Sequence, residues 1–144
     1  MSGRALPSWA ADYLPGFAGI ERVIQLTDGF VLVPIEIVGP DVARALADWL
    51  REQGHPIRVI EPETDEAWER LAPSLLDVAA SPGSVAMVIG GRDLPEGVFR
   101  GLRLLNQRRD SIVAHLGRPL LWCGPSSFLT LTWERAPDFW SVRS

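Results

Sequence analysis

Four short apolar runs recur along this chain, at residues 29–38 (GFVLVPIEIV), 57–60 (IRVI), 85–89 (VAMVI) and 119–123 (PLLWC). Each is rich in Val, Ile or Leu, and each is followed by Gly or Glu. Runs this short and this uniformly apolar are how strands buried on both faces look in sequence. The stretches between them carry a helical period instead. Val42, Ala45, Leu46, Trp49 and Leu50 share one face, with Asp41 as the expected N-cap and Gly54 as the stop. Ala67, Trp68, Leu71, Leu75 and Leu76 recur at threes and fours. Thr64 is placed to cap that helix, and Pro73 to bend or split it, because proline removes a backbone donor. A third helix is predicted over 96–116, with Val98, Phe99, Leu102, Leu105, Ile112 and Leu116 inward. A fourth is predicted over 126–135, with Phe128, Leu129 and Trp133 on its apolar side and Ser126 as its N-cap.

Strand and helix thus alternate four times. The expectation is an α/β domain of three layers around a mainly parallel sheet of four to five strands. Residues 1–26 are less regular, with Trp9, Tyr13, Leu14 and Phe17 followed by Ile20, Val23 and Ile24. They read as a helical arm packed on the core, and residues 27–144 as a single α/β domain. Trp49, Trp68, Trp122 and Trp133 fall on predicted inward faces; Trp9 and Trp140 lie in the terminal segments.

The charges narrow the chemistry. The net charge is −4, and all 14 basic residues are arginine. A general polyanion binder carries a basic excess, so nucleic acid is not the expected partner. Without lysine there is no Schiff base, no P-loop ammonium and no lysine general base. One cysteine, Cys123, permits no disulfide within the chain. The first residues lack the apolar region of a signal peptide and no apolar run reaches the length of a membrane span, so a cytoplasmic protein is expected.

Open parallel sheets bind ligands at the carboxyl ends of their strands. After the first run comes Val38-Gly39-Pro40-Asp41, with one glycine and a proline where a phosphate loop needs several glycines and Gly-Lys-Ser/Thr. After the third comes Gly90-Gly91-Arg92-Asp93, which reads as a turn or as the place of a metal-holding acid. After the fourth, Cys123 and Ser126 would each need a base. His55 and His115 both map to the opposite edge of the sheet, so neither supplies one. Cys123 reads as a small core residue. No metal and no cofactor are expected: one cysteine and two distant histidines make no zinc site. Glu61, Glu63, Asp65, Glu66 and Glu69 form an acidic run at a helix start, where acids complement the dipole. Glu36 interrupts the first strand. It is either paired with an arginine or marks an edge strand with a bulge at Pro34.

Arg100, Arg103, Arg108, Arg109 and Arg118 crowd one region, with Asp110 the acid among them. A basic face on an acidic protein suits a steered protein contact. No aromatic interleaving supports RNA.

The C-terminal third carries a resemblance. Leu105-Asn106-Gln107-Arg108-Arg109-Asp110, then Arg118-Pro119-Leu120-Leu121-Trp122, then the segment from Ala136 through Trp140 to Arg143 and Ser144, follow one another in the order and spacing of a pattern in large bacterial proteins. The chain resembles degenerate STAND-type NTPases of that kind, which are joined to tetratricopeptide repeats or to effector domains in immunity-like conflict systems. The resemblance covers residues 20–144. It implies a P-loop NTPase-like fold without a functional P-loop, and a non-enzymatic module that binds protein and transmits a signal. It implies no catalytic, cofactor-binding or metal-binding residue. Arg100, Arg103, Asn106, Arg108, Arg109, Trp140 and Arg143 are then the candidate protein-interaction residues. The partner is an effector or sensor, with self-association as a second expectation and no membrane. The alternative is a small flavodoxin-like or TIR-like enzyme acting on a nucleotide or NAD, with Glu36 or Glu61 as its carboxylate.

Overall fold

The computed structural model describes residues 6–81 and 83–142. Four strands, β1 (Leu32–Glu36), β2 (Ile57–Ile60), β3 (Val85–Ile89) and β4 (Leu120–Gly124), form one sheet in the order β1-β4-β3-β2, all parallel. Strands β3 and β4 are central and buried along their whole length. Their side chains alternate between two packed faces, which is why their sequences are apolar without interruption. Strands β1 and β2 are edges, and each has one exposed charged residue, Glu36 and Arg58.

Consecutive strands β1 and β2 lie at opposite edges, so their connection crosses β4 and β3. Helix α2 (Pro40–Glu52) makes that crossing. The later connections step back one strand at a time through α3 (Asp65–Glu69), α4 (Leu71–Ala79), α5 (Gly97–Gln107) and α6 (Arg109–Leu116). Crossovers between parallel strands are right-handed, so reversing the direction of travel moves the connection to the other face. The two cores follow from this. Val33, Met87, Ile89, Leu121 and Cys123 pack under α2 and α1 (Leu14–Leu26). Leu32, Ala86, Val88, Leu120 and Trp122 pack under the remaining helices, including α7 (Ser126–Arg135) and α8 (Pro137–Trp140). This is the expected three-layer α/β domain.

The arm begins as a 3-10 turn, Ser8–Tyr13, and continues as α1. It buries Phe17 and Ile24 against α2, and His55 Nε2 lies 3.0 Å from Glu21 Oε2. Residues 1–5 of the expected arm lie outside the described residues.

Several helix ends differ from expectation for local reasons. Thr64 does cap α3, its hydroxyl accepting from Ala67 N–H at 3.1 Å. The split expected at Pro73 falls at Arg70, three residues earlier, because the missing N–H of proline is harmless in the first turn of a new helix. The predicted 96–116 helix is two, broken at Arg108 with φ −100° and ψ 15°. Gly39, not Asp41, is the N-cap of α2, and Pro125, not Ser126, that of α7; neither uses a side-chain bond. Pro34 sits in an edge strand as its chemistry requires. The backbone groups of β1 that meet β4 include Val31 C=O and Ile37 N–H, an odd-numbered series, so the missing N–H of Pro34 faces the open edge. Trp68 and Trp122 are buried as expected and Trp49 is half-buried, but Trp133 is 57% exposed.

Glycine sets the approach of α3 to α5. A Cβ on Gly97 would lie 2.5 Å from the Asp65 backbone, and one on Gly101 would strike the Trp68 carbonyl group. The Asp65 carboxylate also accepts from Gly97 N–H at 2.7 Å and so caps α5. Replacing Gly101 by Ala forces the helices apart and is expected to cost about 1–3 kcal/mol. Gly19→Ala, in the open face of α1, meets nothing within 4 Å and is expected to stabilise by roughly 0.5–1 kcal/mol. Urea midpoints of the two variants check this; equal and small effects would contradict the packing account.

Candidate functional site

The carboxyl ends of the four strands enclose an open cavity of about 480 Å³. Its wall on the β1 side is the turn Ile37-Val38-Gly39, closed by Pro40 at the first position of α2. That turn offers one glycine and no lysine. Arg44, one turn into α2, spans from there to the end of β2. Its Nε and Nη2 donate to Glu61 Oε1 and Oε2 at 3.1 and 2.6 Å, and its Nη1 donates to Asp41 at 2.9 Å. This is a fork-to-fork pair with a third bond, a geometry that a lysine point charge does not reproduce. Donating to the Glu61 carboxylate holds the Arg44 guanidinium above its usual pKa, against a smaller opposing effect of burial. The pair is half-exposed, so it contributes only about 0–1 kcal/mol to stability. Its consequence is local: Arg44 is committed to carboxylates, and Glu61 is committed to Arg44.

The strand-end glycines and Arg92 have structural partners. A Cβ on Gly90 would meet three atoms of the Phe128 ring at 2.7 Å, and Gly124 is pressed by the same ring. Arg92 reaches across to Val38 C=O at 3.3 Å. Asp93 and Glu63 line the cavity. Glu36 is exposed on the outer strand, away from the cavity lining, and its side chain has no hydrogen-bonding partner among the described residues. In the acidic run, Glu61 ties down Arg44 and Asp65 caps α5. Among the described residues no group of three His, Cys, Asp or Glu side chains is placed to hold a metal. His55 precedes β2 and His115 ends α6, both at the amino edge, and Ser126 opens α7 at the other. Cys123 is fully buried, and burial pushes its thiol well up.

The candidate interaction residues divide into two groups. Arg100, Arg103 and Arg108 are exposed on α5 and its end, with no carboxylate partner among the described residues. Arg109 is half-buried and makes a 3.3 Å contact with Asp110, while its Nε is buried without a partner among the described residues, as is that of Arg118. Asn106 faces inward along the chain fold. Its Oδ1 accepts from Asp138 N–H at 2.8 Å and Phe139 N–H at 3.0 Å, capping α8. Trp140 is half-buried and packs against the core. Arg143 lies outside the described residues. Asn106 and Trp140 therefore hold helix α8, and Arg100, Arg103 and Arg108 face solvent.

One residue expected to face inward joins that surface. Phe99 is 44% exposed, and the Arg135 guanidinium lies 4.8 Å from its ring centroid. The signal was available: Val98, Leu102 and Leu105 already fill one stripe, and Phe99 stands about 100° away from it on a helix.

Among the described residues no helix is long and apolar enough to cross a membrane. No family model matches the chain, and neither a curated protein nor a solved structure matches it.

Asn106→Ala leaves two backbone donors of α8 without a partner and is expected to cost about 1–3 kcal/mol in urea denaturation, whereas Arg108→Glu stays within roughly 0.5 kcal/mol. Cys123 is expected to resist Ellman's reagent in the native protein and to react at once in denaturant. A rapid native reaction would contradict its burial.

Proposed function

We propose that this chain is a non-enzymatic protein-interaction and regulatory module of a bacterial signalling or immunity-like conflict system, a STAND-like and P-loop-like domain that has lost nucleotide binding. The observation that carries the reading is the closure of the β1–α2 site by Arg44, Glu61 and Asp41. A phosphate chain needs backbone N–H groups and a free cation at that position. Here a proline stands at the helix start, and the one cation of α2 facing the site already has two carboxylates. The exposed arginines of α5 supply a surface for a protein partner.

The alternative, a small flavodoxin-like or TIR-like enzyme, has less support. A flavodoxin order places β1 between β2 and β3, whereas here β1 pairs with β4 alone. Of its two candidate carboxylates, Glu61 is engaged by Arg44 and Glu36 stands on the outer edge. A general base must reach a substrate proton in a pocket.

Melting curves with ATP, GTP, NAD or inorganic phosphate test the reading. A ligand at a hundred times its Kd adds about 2.7 kcal/mol, which in a domain of this size raises Tm by more than about 5 °C. The expected result is no shift with any of the four. A shift of that size, lost in Glu61→Gln, would overturn the proposal.

A further inference from the structure

We propose that the groove between α5 and α7 docks an acidic segment of a partner protein, whose carboxylate is received between Arg103 and Arg135 beside the Phe99 ring. The proposal rests on the binding-module reading and gives it a place and a partner chemistry. The groove encloses about 450 Å³ and is lined by Phe99, Arg103, Glu134 and Arg135. Three observations converge there. Phe99 leaves 44% of its surface in water, which a core residue would not do. The Arg135 guanidinium sits over that ring, so its position is fixed before any partner arrives and less freedom is lost on binding. Neither Arg103 nor Arg135 has a carboxylate partner among the described residues, whereas Arg44, Arg51 and Arg109 each have one within 3.3 Å.

Charge decides the class of occupant. The protein carries a net charge of −4, and this groove holds two cations against one acid. A carboxylate meets a guanidinium edge-on through two parallel hydrogen bonds. An apolar side chain next to it would cover the Phe99 ring. Glu134 in the lining argues against a long polyanion, because a phosphate backbone would place further negative charge beside it. The groove is small, so a transient contact with Kd of micromolar order fits.

A phage-displayed library of random short peptides, selected against the full chain, tests this. Selected peptides are synthesised with a fluorescent label and measured by polarisation. The expected peptides carry Asp or Glu beside a large apolar residue. Their affinity is expected to fall tenfold or more in Arg103→Glu and in Arg135→Glu, variants whose surface position leaves folding intact by circular dichroism. Glu134→Gln is expected to bind as well as the wild type or better, which a merely structural groove would not produce. Peptides that bind both arginine variants unchanged would place binding elsewhere: the groove proposal fails and the binding-module reading stands. If no peptide is enriched, both fail. Labelled poly-uridine that binds more tightly than any peptide and is lost in Arg103→Glu would assign the face to nucleic acid. Concentration-dependent self-association in sedimentation, abolished by Arg103→Glu, would assign it to a second copy. Either result overturns the acidic-partner proposal.

Discussion

The Phe128 ring lies flat on Gly90 and against Gly124, and much of the molecule is arranged around that contact. The two glycines end the two central strands. Without Cβ atoms there, the ring descends onto the sheet, and α7 descends with it. The ring then meets Trp68 at 5.7 Å and Trp122 at 5.3 Å between centroids, and Trp122 meets Phe139 at 5.2 Å. Aromatic pairs of this kind add about 0.5–1.5 kcal/mol each beyond area burial. Through Trp68 the cluster fixes α3, and through Phe139 it fixes α8. The buried Trp122 N–H is satisfied by the Thr132 hydroxyl, which in turn donates to Phe128 C=O. Thr132, a fully buried polar side chain on this face, is thus spent on orienting the central tryptophan.

That cluster also explains the form of the strand ends. In an open parallel sheet, glycines after a strand usually signal backbone drawn close to a ligand. Gly90 and Gly124 instead admit an aromatic ring of the protein itself. On the opposite face, α2 alone makes the long crossing from β1 to β2, and α1 completes its cover through Phe17 and Trp49, whose rings are 6.0 Å apart. The carboxyl edge is therefore packed from one side by Phe128 and bridged from the other by Arg44. Of the charges that bound the remaining cavity, Arg44, Glu61 and Arg92 have partners, whereas Glu63 and Asp93 have none among the described residues.

The strands were legible because burial on both faces leaves an apolar run that nothing else in a short loop produces. Residues 57–60, 85–89 and 126–135 were found at their observed bounds. Strand order was not legible, since a right-handed crossover of one strand and of three strands have the same sequence signature. The break at Arg108 was hidden because Leu105, Ile112 and Leu116 are all buried and keep the apolar period running through it. The exposure of Phe99 and Trp133 was hidden for a related reason: an aromatic residue adjacent to a core position counts toward an apolar stripe unless its angle is checked. The arginine surface was legible as composition. The Arg44–Glu61 pair was not, because it joins a helix to the end of the following strand, 17 residues on.

The absence of lysine acquires a structural sense from that pair. The ion pairs among the described residues are made by arginine, apart from His55 with Glu21. At Arg44 the planar fork engages both oxygens of Glu61 and one of Asp41 at once. A lysine there could hold one carboxylate oxygen firmly, but not this arrangement. On the proposed reading, nucleotide binding would therefore not return with a single lysine in the β1–α2 turn. Pro40 would still withhold a backbone donor, Asp41 and Glu61 would still repel phosphate, and Phe128 would still cover Gly90 and Gly124. The guanidinium-rich composition and the closed strand-end site are in this sense one property. Arg44 is forked and already committed, whereas Arg100, Arg103, Arg108 and Arg135, which have no carboxylate partner among the described residues, are exposed on the outer helices.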